Sequence, residues 1–149
     1  MAAGLKVEGM RELRKTLTQV SPAEARRIAR RTVTAIARGV RDDARKRAPV
    51  DTGDLKRAVK SRQTRGERDE AAAQVWADRS GGRTGRAYHW HLLEFGTEKM
   101  PAQPFLNPTI EEWRSNMPGI YRRQWYTEYA REMEKRARKQ RARQGSGRG

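Results

Sequence analysis

Apolar residues recur at Ala25, Ile28, Ala29, Val33, Ile36, Val40 and Ala44. Steps of three and four lay them along one face of a helix of about 25 residues ending at Arg47. Ser21 supplies an N-cap, Pro22 the first helical position, and Glu24 completes a capping box. The opposite face is mostly Arg, with Asp42 and Asp43 the only acids after Glu24. A shorter helix, Met10 to Val20, is expected before it from Leu13 and Leu17 at i,i+4.

Pro49 ends the long helix, and Asp51-Thr52-Gly53-Asp54 carries turn chemistry, Gly53 being free to take a positive φ. Leu55 to Thr64 reads as a weak strand with Leu55, Val59 and Ser61 on one side. A charged turn follows at 65–69. Ala71, Ala73, Val75 and Ala77 then alternate with Ala72, Gln74, Trp76 and Asp78, a clearer strand pattern. The two strands predict a β-hairpin packed on the long helix, since a lone hairpin is marginal in water.

Residues 80–85 form a Gly-rich loop by composition. It lacks the Gly-Lys-Ser/Thr ending of a phosphate-binding loop. Tyr88 to Phe95 is the most apolar stretch and is expected to be buried, as a strand or a short helix. Pro101, Pro104 and Pro108 then force an extended path. Asn107-Pro108 reads as a helix start, with Glu111 and Glu112 suited to the positive end of its dipole.

Along the last helix, Trp113, Met117, Tyr121, Trp125, Tyr129, Met133 and Ala137 are all four apart. Each step overshoots a turn by about 40°, so the stripe rotates by roughly 240° over its length. Part of it is expected to pack on the domain and the rest to meet something else or remain a solvated extension. Pro118-Gly119 marks the expected kink. The resulting fold class is α+β: a long N-terminal helix on a small antiparallel sheet, with a long C-terminal helical extension. Three regions are expected: a compact domain at 1–117, a basic aromatic extension at 118–142, and a disordered tail at 143–149.

Composition narrows the function. Leu, Ile, Val and Phe together make 20 of 149 residues, about 13%. That is below the roughly 20% at which high charge usually accompanies disorder, so a large self-sufficient core is not expected. Lys and Arg number 34 against 18 Asp and Glu, a net charge of +16. Such a surface favours polyanions or acidic protein faces as partners. There is no cysteine, hence no disulfide or thiolate chemistry. No apolar run approaches a membrane span, and MAAGLKVEGM has no signal-peptide pattern, so no membrane partner is expected.

Enzyme-like motifs do not hold up. Asp51-Thr52-Gly53 matches the aspartic-protease tripeptide, but it follows a charged helix and precedes Asp54 where a small residue belongs. His89, His91 and Glu94 could supply two histidines and a carboxylate to a metal, yet their aromatic neighbours favour packing. Neither catalytic residues, cofactor nor metal are expected. Aromatics interleave with arginines over Tyr121-Arg122-Arg123-Gln124-Trp125-Tyr126, a pattern shared by nucleic-acid grips and protein interfaces. A stand-alone basic nucleic-acid-binding protein is therefore the alternative reading.

Three segments carry a resemblance: Ala48-Pro49-Val50-Asp51-Thr52-Gly53-Asp54-Leu55; Tyr88 with Leu93-Glu94-Phe95-Gly96-Thr97; and Ala102-Gln103-Pro104-Phe105-Leu106-Asn107-Pro108. In order and spacing, over roughly residues 5 to 115, the chain resembles the gp-ten-like minor structural family of tailed phages. Members of that family are head–tail joining, neck or tail-completion proteins. Departures are His89-Trp90-His91, Ala58, and a longer, more basic last helix.

The resemblance implies an α+β fold and a non-enzymatic virion protein at the head–tail junction or top of the tail, made in the host cytoplasm before assembly. Its implied partners are adjacent neck and tail proteins: a connector or stopper, and a tail terminator or tube. A sparse core suits a ring of copies, six-fold favoured, in which each subunit covers its neighbour. Expected interface and structural residues are Pro49, Asp51, Thr52, Gly53, Leu55, Tyr88, Glu94, Phe95, Gly96, Thr97, Pro104, Phe105, Leu106, Pro108, Trp113, Tyr121, Trp125 and Tyr129. Within them, residues 94–97 and 104–106 are expected to form a rigid wedge anchored by buried Phe95 and Phe105. Contact with packaged DNA or an acidic partner is expected from Arg131, Lys135, Arg136, Arg138, Lys139, Arg141 and Arg143. DNA must slide through a tail lumen, so most basic residues are expected to lie away from it.

Overall fold

The computed structural model describes residues 15, 18–50, 53–66, 70–78 and 86–146. The side chains of Arg86 and Tyr88 are outside that description, as are Asp51, Thr52, the Gly-rich loop at 80–85 and most of the expected first helix.

Helix α1 spans Pro22–Arg47, and its start is the predicted capping box. The Glu24 N–H donates to Ser21 Oγ at 3.3 Å, and the Ser21 N–H donates to Glu24 Oε2 at 2.8 Å. Ile28, Thr32, Ile36, Ala37, Val40 and Ala44 are buried along one face. Ala48 leaves the helix with extended ψ, as a residue before proline must.

Beyond Pro49 the chain departs from expectation. Gly53 takes φ 76° and opens a single helical turn, α2, Asp54–Ala58. The first strand, β1, begins only at Val59 and runs to Arg65. Leu55 and Val59 are four apart, and that spacing points to one side in a strand and in a helix alike. The helical period wins because left-handed Gly53 turns the chain, and Asp54 sits where the dipole favours an acid. The second strand, β2, Ala71–Ala77, is where the alternation placed it. The strands pair antiparallel, Val59 opposite Ala77 and Ser61 opposite Val75.

The hairpin lies on α1. Arg45 Nε and Nη2 both donate to the Val59 carbonyl, at 3.0 and 2.8 Å, clamping the start of β1 to the helix. On the outer face the Arg62 guanidinium sits 5.2 Å from the Trp76 ring centroid.

A 3-10 turn at Arg86–His89 leads into α3, Trp90–Phe95. Helix α4 spans Leu106–Ser115 and α5 spans Met117–Ser146. The break falls at Asn116, not at Pro118-Gly119. Proline occupies the second position of α5, where its missing N–H costs nothing. Helix α5 continues through Ser146, four residues into the segment for which composition predicts disorder.

Two small cores replace one large one. Near the C-terminal end of α1, Ala44, Ala48, Leu55, Val59, Phe105 and Leu106 are buried together, with Val75, Trp90, Leu93 and Ile110 against them. Near its start, Val20, Ile28 and Trp125 form the second, flanked by Ala25, Tyr121, Tyr126, Tyr129 and Met133. Helix α5 runs back antiparallel along α1 to build this second core: Glu132 meets Arg27 and Arg31, and Arg136 reaches Glu24.

Candidate functional site

Glu94 organises the segment on which the resemblance rests. Its carboxylate is buried, 4% exposed, at the end of α3. Oε2 accepts from the N–H groups of Phe105 and Leu106 at 2.9 and 3.0 Å, and Oε1 from that of Asn107 at 2.6 Å. Those are orphan donors at the start of α4, so Glu94 caps that helix from eleven residues away. The predicted cap at Asn107 is therefore corrected. Phe105 is the N-cap residue and makes no side-chain cap, while Asn107 is already helical. Glu111 and Glu112 lie past the first turn, pairing with Arg114 and Arg47 respectively.

The loop between is closed by short-range bonds. Gly96 takes φ 74°, and a Cβ there would stand 2.8 Å from the Ala102 nitrogen, so only glycine fits. The Thr97 N–H donates to the Met100 carbonyl at 2.8 Å, and the Gln103 N–H to that of Leu93 at 2.7 Å. Thr109 Oγ1 donates to the Phe105 carbonyl at 2.7 Å. Residues 94–107, the expected wedge, are thus a loop closed by hydrogen bonds whose inner side, Glu94, Phe105 and Leu106, is buried.

Its outer side corrects the second anchor. Phe105 is fully buried, but Phe95 is 69% exposed and Leu92, one turn earlier on α3, is 39% exposed. A six-residue helix can turn only one side to a core. Leu93 and Glu94 take that side, leaving Leu92 and Phe95 out. Thr97 and Pro101 to Pro104 are exposed as well.

The α1–α5 contact carries charge inside it. Glu128 and Glu132 are buried on α5. Glu132 accepts from Arg27 Nη2 at 3.1 Å and Arg31 Nη1 at 2.9 Å; Glu128 accepts from Gln124 Nε2 and Arg131 Nη1. Arg131 is thus paired within its own helix, with its side chain still 65% exposed. Reading the aromatic stripe alone missed these two acids. The available signal was Glu128/Glu132 at i,i+4 beside Trp125 and Tyr129, facing Arg27/Arg31 at the same spacing. The Trp125 and Tyr129 rings stack, with centroids 5.4 Å apart. Burial among these rings raises the Tyr121 hydroxyl above its ordinary pKa.

Toward the C-terminal end of α1, the Trp113 indole N–H donates to Asp43 Oδ2 at 3.0 Å. The Lys46 ammonium on the same carboxylate, aided by that indole, holds Asp43 below the usual carboxylate range. Glu24 is lowered too, by the Ser21 backbone N–H first and the Ser21 side chain second.

Of the other expected site residues, Leu55 and Leu106 lie in the first core, Trp125 in the second, and Tyr121 and Tyr129 flank it. Asp51 and Thr52, and with them the protease-like tripeptide, lie outside the described residues, as does the Tyr88 side chain. Glu94 has given both oxygens to backbone, which leaves His89 and His91 without the carboxylate a shared metal site would need. Among the described residues no helix is long and apolar enough to cross a membrane.

A family model described as "Bacteriophage HK97-gp10, putative tail-component" matches residues 11–96. That is 86 of 149 residues. The chain belongs to this HK97-gp10-like family of phage tail components. No curated protein and no solved structure matches it. The family match covers α1, the hairpin and α3, and it ends at Gly96, inside the loop that Glu94 closes. Helices α4 and α5 lie beyond it, so the capped partner of Glu94 is supplied by a part of the chain outside the match.

Proposed function

We propose that this tail-component-family protein forms a homo-oligomeric ring at the head–tail junction, as a neck or tail-completion part joining the capsid connector to the tail. The observation that carries this reading is Phe95, an exposed aromatic held beside the buried Glu94 lock on a stiff wedge. Large aromatics on preorganised supports are what interfaces use as anchors, because little entropy is lost when they are covered. In a ring the contact is heterologous: the wedge of one copy inserts into a different face of the next. Two small cores on one helix support the same reading, since such a monomer gains from cover by neighbours. Six copies are favoured, with the connector or stopper above and the tail terminator or tube below.

The test is a phage lacking this gene, complemented in trans by wild-type protein or by Phe95→Ser. Wild-type protein is expected in purified virions at a fixed, ring-like stoichiometry, and the variant is expected to yield unjoined heads and tails. Absence of wild-type protein from purified particles would end the proposal.

A further inference from the structure

From Glu134 through Ser146, every residue of α5 is exposed. This segment holds Lys135, Arg136, Arg138, Lys139, Arg141 and Arg143 against one acid, Glu134, which pairs with Arg138 at 2.7 Å. At roughly 100° per residue, Lys135, Arg136, Lys139 and Arg143 fall within one arc about 100° wide. Tyr121, Trp125, Glu128 and Glu132 occupy that same arc where α5 docks on α1. The docking face therefore continues as a cationic one. Arg136 still reaches Glu24, at 4.0 Å, near the start of α1. Lys135, Lys139, Arg141 and Arg143 have no ion pair among the described residues.

We infer that this arm binds the phosphate backbone of duplex DNA without reading its sequence. Two features select DNA over an acidic protein. Protein interfaces draw affinity from buried aromatic or aliphatic anchors, and the only apolar side chains from 134 to 146 are Ala137 and Ala142. A phosphate backbone needs no such anchor, because release of its condensed counterions drives binding. The spacing also fits. Lys135 to Arg143 spans about 12 Å of helix, and duplex DNA offers about seven charges over that length. Phosphate contacts of this kind hold a protein on the duplex and carry no sequence information. The inference holds whether or not the ring forms.

The test uses purified full-length protein and a fluorescent duplex of arbitrary sequence, titrated at several salt concentrations. Four phosphate contacts give a log–log slope near −3.6, about a hundredfold loss of affinity between 50 and 200 mM salt. The triple variant Lys135→Gln, Lys139→Gln, Arg143→Gln touches only exposed side chains. It should reduce the slope by about 2.7 and the loss to about threefold. A control of equal charge, Lys56→Gln, Lys99→Gln, Arg123→Gln, should keep the wild-type slope. An unchanged slope in the arm variant, or an equal fall in the control, overturns the inference. So does displacement of DNA by polyglutamate at lower charge concentration, which would assign the arm to an acidic polypeptide.

Discussion

Trp113 lies across Gly39, its indole ring occupying the space where any other residue of α1 would carry a Cβ. A Cβ built at Gly39 would stand 2.9 Å from Cζ2 and closer still to Cη2. The ring is also tethered through its N–H to Asp43, one turn further along α1. Gly39→Ala should gain about 1 kcal/mol of helix propensity and lose about 1–3 kcal/mol to overpacking, a net destabilisation near 1 kcal/mol. In a Trp113→Leu background the same change should stabilise. Thermal unfolding of the single and double variants checks both signs.

Removing the Glu94 charge strands backbone donors inside the wedge. Glu94→Gln keeps one accepting oxygen and sets an NH2 group against a backbone N–H. The expected cost is about 2–4 kcal/mol in urea unfolding. Amide exchange at Phe105, Leu106 and Asn107 should accelerate more than exchange in the middle of α1. Uniform acceleration would show that the carboxylate acts on global stability alone.

The two phenylalanines of the wedge should behave oppositely. Phe105→Ala empties a fully buried position and should cost about 3–5 kcal/mol. Phe95→Ala changes an exposed one and should leave monomer stability within about 0.5 kcal/mol. A Phe95 variant that unfolds as readily as the Phe105 variant would mean its ring is covered within the chain.

Stability should fall at both ends of the pH scale. Glu24 and Asp43 have folded pKa values below their ordinary 4.5 and 3.8. Their contribution is present above those ordinary values and is lost as pH drops through the lower folded ones. Asp43→Asn, which still accepts from Trp113, should flatten the acid limb of a melting-temperature profile. Tyr121 is raised above 10.0, so its contribution is present below that value and is lost as pH rises through the folded one. Tyr121→Phe should flatten the alkaline limb and leave the acid limb unchanged.

Sequence alone determined what neighbours along the chain decide. The α1 capping box, the helical period to Arg47 and the alternation of β2 are interactions within a few residues, so pattern and chemistry suffice to read them. The scarcity of large aliphatics likewise announced small cores. Tertiary structure alone decided which side of α3 faces inward, hence that Phe95 is exposed and Leu93 is not. It also decided that the cap of α4 is Glu94 and not Asn107, that Trp113 needs a glycine 74 positions earlier, and that Glu132 faces Arg27 and Arg31. Each of these depends on which distant groups meet when the helices pack, and a periodicity constrains only the face a residue lies on, never what covers it.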